Sequence, residues 1–295
     1  MLIMKKILPI PKITKLYSNW DDEDIRKIEI RKRLKTNITE LDKLIKFPSG
    51  FYIISSNPGV GKSWFALWLS KTFYKLHNKK SIYFNLEMDE TLVRARIHQS
   101  WSGLNQMQYE AGMNIDKALD LMKKDIIVVD NFFAEDTKLR TPQNFYEYLI
   151  YYYSKGYRCF HFDHLHELDG MNDNNKNQQL NEEWSAIFKK LNDELDDIWL
   201  FIYAQPNGMA GSKPILRRTD IAGSKAITQR CEFFISLNKR IKKDYEDANE
   251  EDRNIYVFLD KGRTETKTHC GCWIRLDETG NFVDYKIDAV MQAFL

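Results

Sequence analysis

The chain has 295 residues, and its 44 lysines and arginines nearly balance its 42 aspartates and glutamates, so the formal net charge is only +2. Hydrophobic residues make up 43% and charged residues 29%, a balance typical of a globular protein and not of a disordered one. No run of about 18 apolar residues is present, so we expect no membrane-spanning segment. Coating nucleic acid over an outer surface usually needs a more basic protein, whereas a narrow channel needs few basic side chains, so charge leaves the partner open.

Cysteine usage and the first residues favour a protein of the cytoplasm. Cys159, Cys231, Cys270 and Cys272 are too few and too irregularly spaced for a disulfide framework. The N-terminus lacks the apolar core of a secretory signal peptide. The run from His269 to Cys272 holds only three metal-binding side chains, with no second pair at metal-site spacing, so it is predicted as a tight turn in a terminal hairpin.

Residues 1–35 form a distinct first segment. Acidic residues at 21–24 precede basic residues at 31–35, and this order complements the macrodipole of a helix over about 21–34. The apolar positions of this helix are sparse, so we expect it to pack on another surface rather than to form a core of its own. The sequence therefore predicts an N-terminal helical extension over 1–35 and one domain over 36–295.

From Thr36 onward, predicted strands and helices alternate, which is typical of an α/β domain with a mostly parallel sheet flanked by helices. Two polar segments, 169–179 and 207–219, interrupt the alternation, and long irregular loops of this kind are usually functional or disordered. The predicted strands are 51–54, 81–85, 125–129, 158–162, 198–203, 233–237 and 255–259, and the predicted helices are 63–77, 89–101, 142–154 and 181–195.

A phosphate-binding loop is predicted between the first strand and the first long helix of this domain. Gly59 and Gly61 allow backbone N–H groups to converge on phosphate oxygens at the positive end of the following helix. Lys62 would reach the β and γ phosphates, and the Ser63 hydroxyl would bind Mg²⁺, so ATP and Mg²⁺ are the expected cofactors. The expected nucleotide-contacting residues are Asn57, Pro58, Gly59, Val60, Gly61, Lys62, Ser63 and Trp64.

One position departs from the usual pattern of such a loop, G-x-x-x-x-G-K-[ST]. Ser56 stands where the first glycine is expected. Glycine adopts a positive φ at little cost and serine does not, so the sequence leaves open how the backbone begins the loop.

Nucleotide hydrolysis with Mg²⁺ requires one carboxylate beside the metal and another that activates water. Glu87, Asp130 and Asp163 each follow a predicted strand, which is where such groups lie in a parallel sheet. Asp130 ends the most apolar of these strands and Asp163 a less apolar one. The strand pattern alone leaves the choice between them open.

Six segments, in the order in which they occur, resemble motifs of the DnaB-type replicative helicases, which have a RecA-like core. Together they cover about residues 36–265, and the ordered set is far more specific than any single motif. They are Thr36–Leu44, before the phosphate loop; Phe84–Met88, similar to S-L-E-M; Phe162–Leu168, similar to D-Y-L-Q-L; Tyr203–Gln205, similar to S-Q with alanine for serine; Asp220–Ile227, similar to D-L-R-x-S-G-x-I; and Leu259–Arg263, with the K-x-R ending.

The resemblance assigns roles to individual positions. It implies that Glu87 is the general base that polarises the attacking water and that Asp163 holds Mg²⁺ with Ser63. It implies that Gln205 senses the γ-phosphate. It also implies that Lys261 and Arg263 reach the nucleotide of a neighbouring subunit, with Arg263 stabilising charge in the transition state. Asp130 is then a strand-end carboxylate outside the metal site.

The segment 207–219 is a candidate contact for nucleic acid. The resemblance implies that it lines a channel and contacts phosphates of single-stranded DNA, and Lys213, Arg217 and Arg218 supply the donors. Lys225 stands where the family has glycine and is expected to replace a phosphate contact, because the family's arginine is Ala222 here. A solvated basic turn is the alternative. The segment holds no aromatic residue, so base stacking is not predicted within it.

The short N-terminal segment makes the chain similar to compact plasmid and phage helicases of the RepA type. The resemblance implies an ATP-driven ring motor on single-stranded DNA, hexameric and moving 5′→3′, with a primase or loader protein as a further partner. A second hypothesis is an ATP-gated DNA-binding or assembly protein of the RecA or KaiC kind, without strand separation. A metabolic P-loop kinase is disfavoured because no substrate lid is evident.

Overall fold

The computed structural model describes residues 32–86, 88–113, 116, 126–130, 140–165, 178–208, 210, 213–221, 225–239, 253–263 and 267–285. For residues 178–181 and 225–226 it describes the backbone only. The predicted helix over 21–34 lies outside the described residues up to position 31. Residues 32–34 are not helical, since Arg33 forms a β-bridge with Pro48, so the predicted helix end at 34 is wrong.

A single nine-stranded sheet runs through the described part of the chain. Its strands lie in the order β3-β2-β4-β5-β1-β6-β7-β8-β9, the first six parallel and the last three antiparallel to their neighbours. The mostly parallel α/β fold predicted from the sequence is therefore confirmed. The strands are β1 Gly50–Ser56, β2 Lys80–Asn85, β3 Ile127–Asp130, β4 Tyr157–Asp163, β5 Trp199–Ala204, β6 Phe233–Lys239, β7 Asn254–Gly262, β8 Cys270–Leu276 and β9 Phe282–Asp284.

Helices cover both faces of the sheet. The four predicted from 63 onward are present, with ends that differ by at most three residues from the prediction, and three short helices were not predicted. The described α-helices are α1 Thr39–Leu44, α2 Lys62–His77, α3 Glu90–Ser102, α4 Gln106–Glu110, α5 Pro142–Ser154, α6 Gln178–Glu194 and α7 Lys225–Arg230, and a 3₁₀ turn spans Arg218–Asp220.

Strand β1 shows why the central strands are continuous apolar runs in the sequence. All seven of its residues are buried, because the sheet carries a hydrophobic core on each face. Tyr52 and Ile54 belong to the core that includes Phe65 of α2. Phe51 belongs to the other core, where its ring lies 5.4 Å from that of Phe188 on α6. The central strands are thereby fixed between two layers, and their carboxyl ends form one rigid edge.

Two further sequence expectations need correction or qualification. Cys270 and Cys272 belong to strand β8 rather than to the turn before it, where His269 has φ 59°. The structural unit that contains the sheet begins at Arg33, and Leu34 is buried and donates its N–H to Phe47, so residues 33–35 pack with the sheet domain. Within the described residues, no helix is both long enough and apolar enough to cross a bilayer.

Candidate active site

The loop between β1 and α2 has the backbone of a phosphate cradle. Gly59 and Gly61 have φ values of 74° and 113°, a region that side-chain-bearing residues rarely adopt. Ser56, which departs from the usual pattern, is the last residue of β1 and pairs with Leu237 in the sheet. The positive φ values therefore begin after Ser56, and serine in place of the first glycine is accommodated as a strand residue.

The first turn of α2 is suited to an anion. The first N–H groups of a helix have no acceptor within it, and Gly61 at the N-cap provides no side-chain hydrogen bond. The first turn also contains no acidic residue that would compete with an anion for the positive end of the helix. The Trp64 side chain lies against Gly280, and Arg96 lies 5.6 Å above its ring, so this predicted nucleotide contact packs beside the loop.

Asp163 lies at the centre of a group of polar side chains beside this loop. The carboxylate ends β4 and is only 1% exposed. Its Oδ2 accepts hydrogen bonds from the hydroxyls of Ser63, at 2.6 Å, and Tyr83, at 2.5 Å. Its Oδ1 lies 3.7 Å from Nζ of Lys62 and accepts no hydrogen bond from the described residues. The structure thus brings together the predicted Lys62, Ser63 and Asp163.

Tyr83 is a site residue that sequence reasoning missed. It lies on β2, beside β4, and reaches Asp163 across the strand pair. Burial, and secondly the neighbouring carboxylate, raise the pKa of Tyr83 well above its usual value, so the phenol stays protonated and donates. The available signal was a tyrosine at an inward position of a buried strand, where its hydroxyl requires a partner.

A second group of buried polar side chains forms hydrogen bonds that connect β5, β4 and α2 beneath the loop. The hydroxyl of Tyr203 on β5 lies 2.9 Å from Nδ1 of His161 on β4, and Nε2 of His161 lies 3.0 Å from Oγ of Ser70 on α2. Ser70 donates to the Ala66 carbonyl, so its oxygen accepts from Nε2–H and Tyr203 donates to Nδ1. Burial lowers the pKa of His161 to about 3, so the imidazole is neutral.

The structure separates Asp130 from the loop. Asp130 ends β3, at the outer edge of the sheet, and β2 lies between it and β4. The carboxylate of Asp130 accepts a hydrogen bond of 2.7 Å from Tyr152. Of the two acids left open by strand pattern, Asp163 is the one that contacts Ser63.

Glu87, the predicted general base, lies outside the described residues. Its neighbours are held at the carboxyl edge of the sheet, because Leu86 donates its N–H to the Asp163 carbonyl at 3.0 Å. The Asn85 side chain also bonds the backbone of Met88 twice, donating to its carbonyl at 2.6 Å and accepting from its N–H at 3.1 Å. The chain on both sides of Glu87 is therefore fixed next to Asp163.

Gln205, the predicted phosphate sensor, follows directly after β5. Strand β5 pairs with β1 on one side and with β4 on the other, so Gln205 leaves the sheet between the phosphate loop and Asp163. The next residue, Pro206, bridges to Ile221. The bridge thus joins the residues on either side of the predicted nucleic-acid segment, 207–219, beside the site.

Lys261 and Arg263 lie at the other end of the sheet. Lys261 pairs with Phe234 near the start of β6, whereas the phosphate loop follows the end of the parallel strand β1. Nζ of Lys261 donates to the Gln229 carbonyl at 2.7 Å, and Arg263 lies 3.8 Å from Glu232. The structure therefore does not bring these two cations to the phosphate loop of their own chain.

We call residues 207–219 the basic segment. Each of its described cations is paired with a buried acid. Lys213 pairs with Asp220, and Arg217 with Asp260 at 3.2 Å. Arg218 lies 3.9 Å from the other oxygen of Asp260. Sequence reasoning missed these acids. The fourth predicted contact, Lys225, is the first residue of α7, and its side chain lies outside the described residues.

The fold and the loop together define a RecA-like P-loop protein. The family model of the DnaB-like helicase C-terminal domain matches residues 33–273, so the chain belongs to that family and the resemblance inferred from its motifs is confirmed. The replicative DNA helicase DnaB of Buchnera aphidicola subsp. Schizaphis graminum (strain Sg) is 31% identical over 98 residues, which are 32% of this chain and 21% of that protein. The match thus spans about a fifth of that relative's length.

Solved structures agree with this assignment at the level of the fold. A solved ATPase domain has a TM-score of 0.70 at 18% identity, over 90% of this chain and 95% of that one. A DnaB-like replicative helicase, studied for its interactions with primase, has a TM-score of 0.71 at 19% identity, over 90% and 65%. A KaiC-like protein from Pyrococcus horikoshii OT3 has a TM-score of 0.61 at 14% identity, over 87% and 100%.

The neutral His161 makes the stability of the fold sensitive to acid. The unfolded histidine has a pKa near 6.5 and the folded one about 3, so the unfolded state binds more protons between these values and stability falls as pH drops through them. We expect a loss of about 2 kcal/mol in the free energy of unfolding between about pH 7 and about pH 5 from this residue. His161→Phe should lose that much less over the same range, as measured by urea unfolding.

The control for this measurement is Tyr203→Phe, which removes a hydrogen bond but keeps the histidine. It should retain the acid dependence of the unaltered chain. An acid dependence that is the same in His161→Phe as in the unaltered chain contradicts the prediction.

Proposed function

We propose that this chain is an ATP-dependent motor that moves along single-stranded DNA as part of a ring and separates DNA strands. The observation that carries the proposal is the buried Asp163 carboxylate. Two hydroxyls donate to one of its oxygens, and the other oxygen lies 3.7 Å from the Lys62 ammonium and accepts no hydrogen bond from the described part of the chain. A carboxylate oxygen of this kind, beside a serine hydroxyl and a helix N-terminus, is the donor set expected for Mg²⁺ on a nucleoside triphosphate.

The residues of the loop and of the neighbouring strands would each have a separate role in this site. Backbone N–H groups of the loop and of the start of α2 would bind the phosphates, and Lys62 would neutralise the β and γ phosphates. Ser63 and Asp163 would hold Mg²⁺, which when bound neutralises charge on the phosphate oxygens. Tyr83 would keep the Asp163 carboxylate oriented, because its hydroxyl donates to the oxygen that Ser63 also contacts.

We assign the activation of water to Glu87 and the sensing of the γ-phosphate to Gln205. The strands that precede them in the sequence, β2 and β5, flank β4, which carries Asp163, and both strands end at the carboxyl edge of the sheet. A general base must lie within hydrogen-bond reach of the attacking water, and the bonds that fix Leu86 and Met88 would keep Glu87 at that edge.

We propose that Lys261 and Arg263 act on the nucleotide of a neighbouring copy. Support comes from their position near the amino ends of the parallel strands, away from their own phosphate loop. The Arg263 side chain is 60% exposed, so it can leave Glu232 for a second partner. A ring of copies placed head to tail would bring this edge of one subunit to the phosphate loop of the next. We propose a hexamer, with residues before Arg33 docked on an adjacent copy.

We propose that phosphates of single-stranded DNA bind Lys213, Arg217, Arg218 and Lys225. The side chains of the first three are about half exposed, so an anion can approach them even while their acids hold them in place. Movement in the 5′→3′ direction, a primase or loader partner, and a place in phage or plasmid replication in the host cytoplasm are part of the same proposal.

The first test compares ATP hydrolysis and unwinding of a forked duplex by the unaltered chain and by three variants. Lys62→Ala and Glu87→Gln should lose hydrolysis by at least about 100-fold, because one removes phosphate neutralisation and the other the base. Glu87→Gln should still bind ATP, as measured with a fluorescent analogue.

Asp130→Asn is the matched control for this test, because it also alters a strand-end acid, and it should hydrolyse ATP at the rate of the unaltered chain. Normal turnover by Glu87→Gln or Lys62→Ala rejects the site. Hydrolysis without unwinding by the unaltered chain favours an ATP-gated assembly protein of the KaiC kind instead of a motor.

The second test asks whether Arg263 acts between copies. Arg263→Ala should assemble normally and lose hydrolysis by about 10³-fold or more, the range of arginine fingers that act in trans. Mixing it with Lys62→Ala should restore part of the activity, because some junctions then pair an intact loop with an intact arginine. Mixtures that stay as inactive as the separate variants exclude action in trans.

A further inference from the structure

Four aromatic rings lie in a row along β7, β8 and the residue after β9. We call Phe258, Tyr256, Trp273 and Tyr285 the aromatic row. The ring centroids of Phe258 and Tyr256 are 6.3 Å apart, those of Tyr256 and Trp273 are 5.1 Å apart, and those of Trp273 and Tyr285 are 6.1 Å apart.

The row lies on the face of the sheet that is turned away from the core under α2. Ile255 and Val257, which alternate with Tyr256, are buried in that core, and so is Ile274, the neighbour of Trp273. Tyr256 and Trp273 are direct cross-strand partners, so they share the opposite face. Trp273 is 37% exposed, so the indole face remains accessible although its neighbours hold it on a rigid sheet.

Gly271 fixes the position of Tyr256. A Cβ atom at residue 271 would lie 2.6 Å from Cζ of Tyr256 and 2.4 Å from the Val257 carbonyl oxygen, so the tyrosine ring lies directly over the glycine. Only a residue without a side chain allows this close approach. The aromatic row is therefore formed before any ligand binds, which lowers the entropy lost on binding.

The basic segment described above adjoins one end of the row. Ser236 donates to the Leu216 carbonyl, and Leu216 donates its N–H to Asn238, so the segment is fixed on the same face of β6. Cζ of Arg217 lies 4.6 Å above the Phe258 ring, in cation–π geometry. On β8, two residues after Trp273, the exposed Arg275 lies on the same face, so a second cation lies beside the row next to Trp273.

We propose that the three partly exposed rings of the aromatic row, those of Tyr256, Trp273 and Tyr285, are a stacking surface for the bases of single-stranded DNA whose phosphates contact the adjoining arginines. Phe258 is buried and lies beneath Arg217. Flat aromatic faces accept any base, and cations beside them match the phosphate chain, which is the chemistry of binding without sequence preference. This inference rests on the proposed function and adds a base-binding surface to it. Segment 207–219 contains no aromatic residue, and the fold supplies the rings from strands that follow much later in the chain.

The test compares binding of two labelled strands, an oligothymidylate and an abasic strand of equal length, by fluorescence anisotropy with Mg²⁺ and a non-hydrolysable ATP analogue. Trp273→Leu keeps apolar bulk but removes the ring. It should bind oligothymidylate roughly 5- to 150-fold more weakly, the range of one lost stacking contact, and should bind the abasic strand as the unaltered chain does. Trp273→Phe should retain most of the affinity.

Tyr151→Leu is the matched control, because Tyr151 is an exposed aromatic residue on α5, outside both the row and the basic segment. It should bind both strands normally. Irradiation of the unaltered complex with iododeoxyuridine in the strand should attach DNA to Trp273 or Tyr256, a result that needs no variant to fold.

Three results overturn the inference. An equal loss for both strands in Trp273→Leu means that the residue does not contact bases. A change in the native mass of that variant without DNA means that the row is a contact between copies of the chain. A crosslink map without Trp273 and Tyr256 also excludes it. If the unaltered chain binds neither strand, the proposed function fails as well. In the three results above the unaltered chain still binds DNA, so failure of the inference alone can be distinguished from failure of the proposed function.

Discussion

The structure depends on one buried carboxylate whose two oxygens have different surroundings. Oδ2 of Asp163 accepts from the hydroxyls of Ser63 and Tyr83. Among the described residues, Oδ1 accepts no hydrogen bond and lies 3.7 Å from the Lys62 ammonium. Burying a charge costs free energy unless nearby groups compensate for it. Two hydroxyls and one ammonium compensate in part, and under the proposed function the remaining oxygen would bind the cation that arrives with the nucleotide. Elements that are distant in sequence, β2, β4 and the start of α2, are held together by this one group.

The proposed phosphate-binding residues and the two cations Lys261 and Arg263 lie at opposite ends of the sheet. The carboxyl edge carries the phosphate loop, Asp163 and the residues that follow β2 and β5. Lys261 and Arg263 lie at the other end, bonded to Gln229 and Glu232. A single copy therefore holds both halves of the proposed catalytic arrangement, but at ends that do not meet. Under the proposed action between copies, assembly would be a condition for turnover and would link ATP hydrolysis to the presence of the next subunit.

The fold could be predicted from the sequence because its central strands and long helices carry strong local signals. Buried parallel strands give continuous apolar runs, and the strand-loop-helix pattern correctly placed Lys62 and Ser63 at the start of a helix that follows a buried strand. Strands β8 and β9 were not predicted. Strand β9 has only three residues, and β8 contains Gly271 and the two cysteines that the sequence assigned to a turn. The end of the first predicted helix was wrong because Arg33 pairs with Pro48, a contact that no local pattern records.

Within the site, the sequence could not reveal partners that face one another across strands. Tyr83 and His161 are members of apolar runs in the sequence, although one holds the Asp163 carboxylate and the other connects Tyr203 to Ser70. Strand pattern alone also left the choice between Asp130 and Asp163 open, although Asp130 ends the more apolar strand. Motif order favoured Asp163, and the strand order of the sheet agrees, because β3 is an edge strand and β4 is not. The acids that pair with the basic segment were hidden for the same reason.

The affinity for ATP, measured with and without Mg²⁺, tests most directly whether the Asp163 carboxylate holds the metal. The unaltered chain is compared with Asp163→Asn, which keeps the shape of the side chain and removes its charge. We expect Mg²⁺ to tighten ATP binding to the unaltered chain, and we expect the variant to lose this gain while still binding ATP alone. An equal gain from Mg²⁺ in both proteins would contradict this expectation, because the metal would then be held without Asp163.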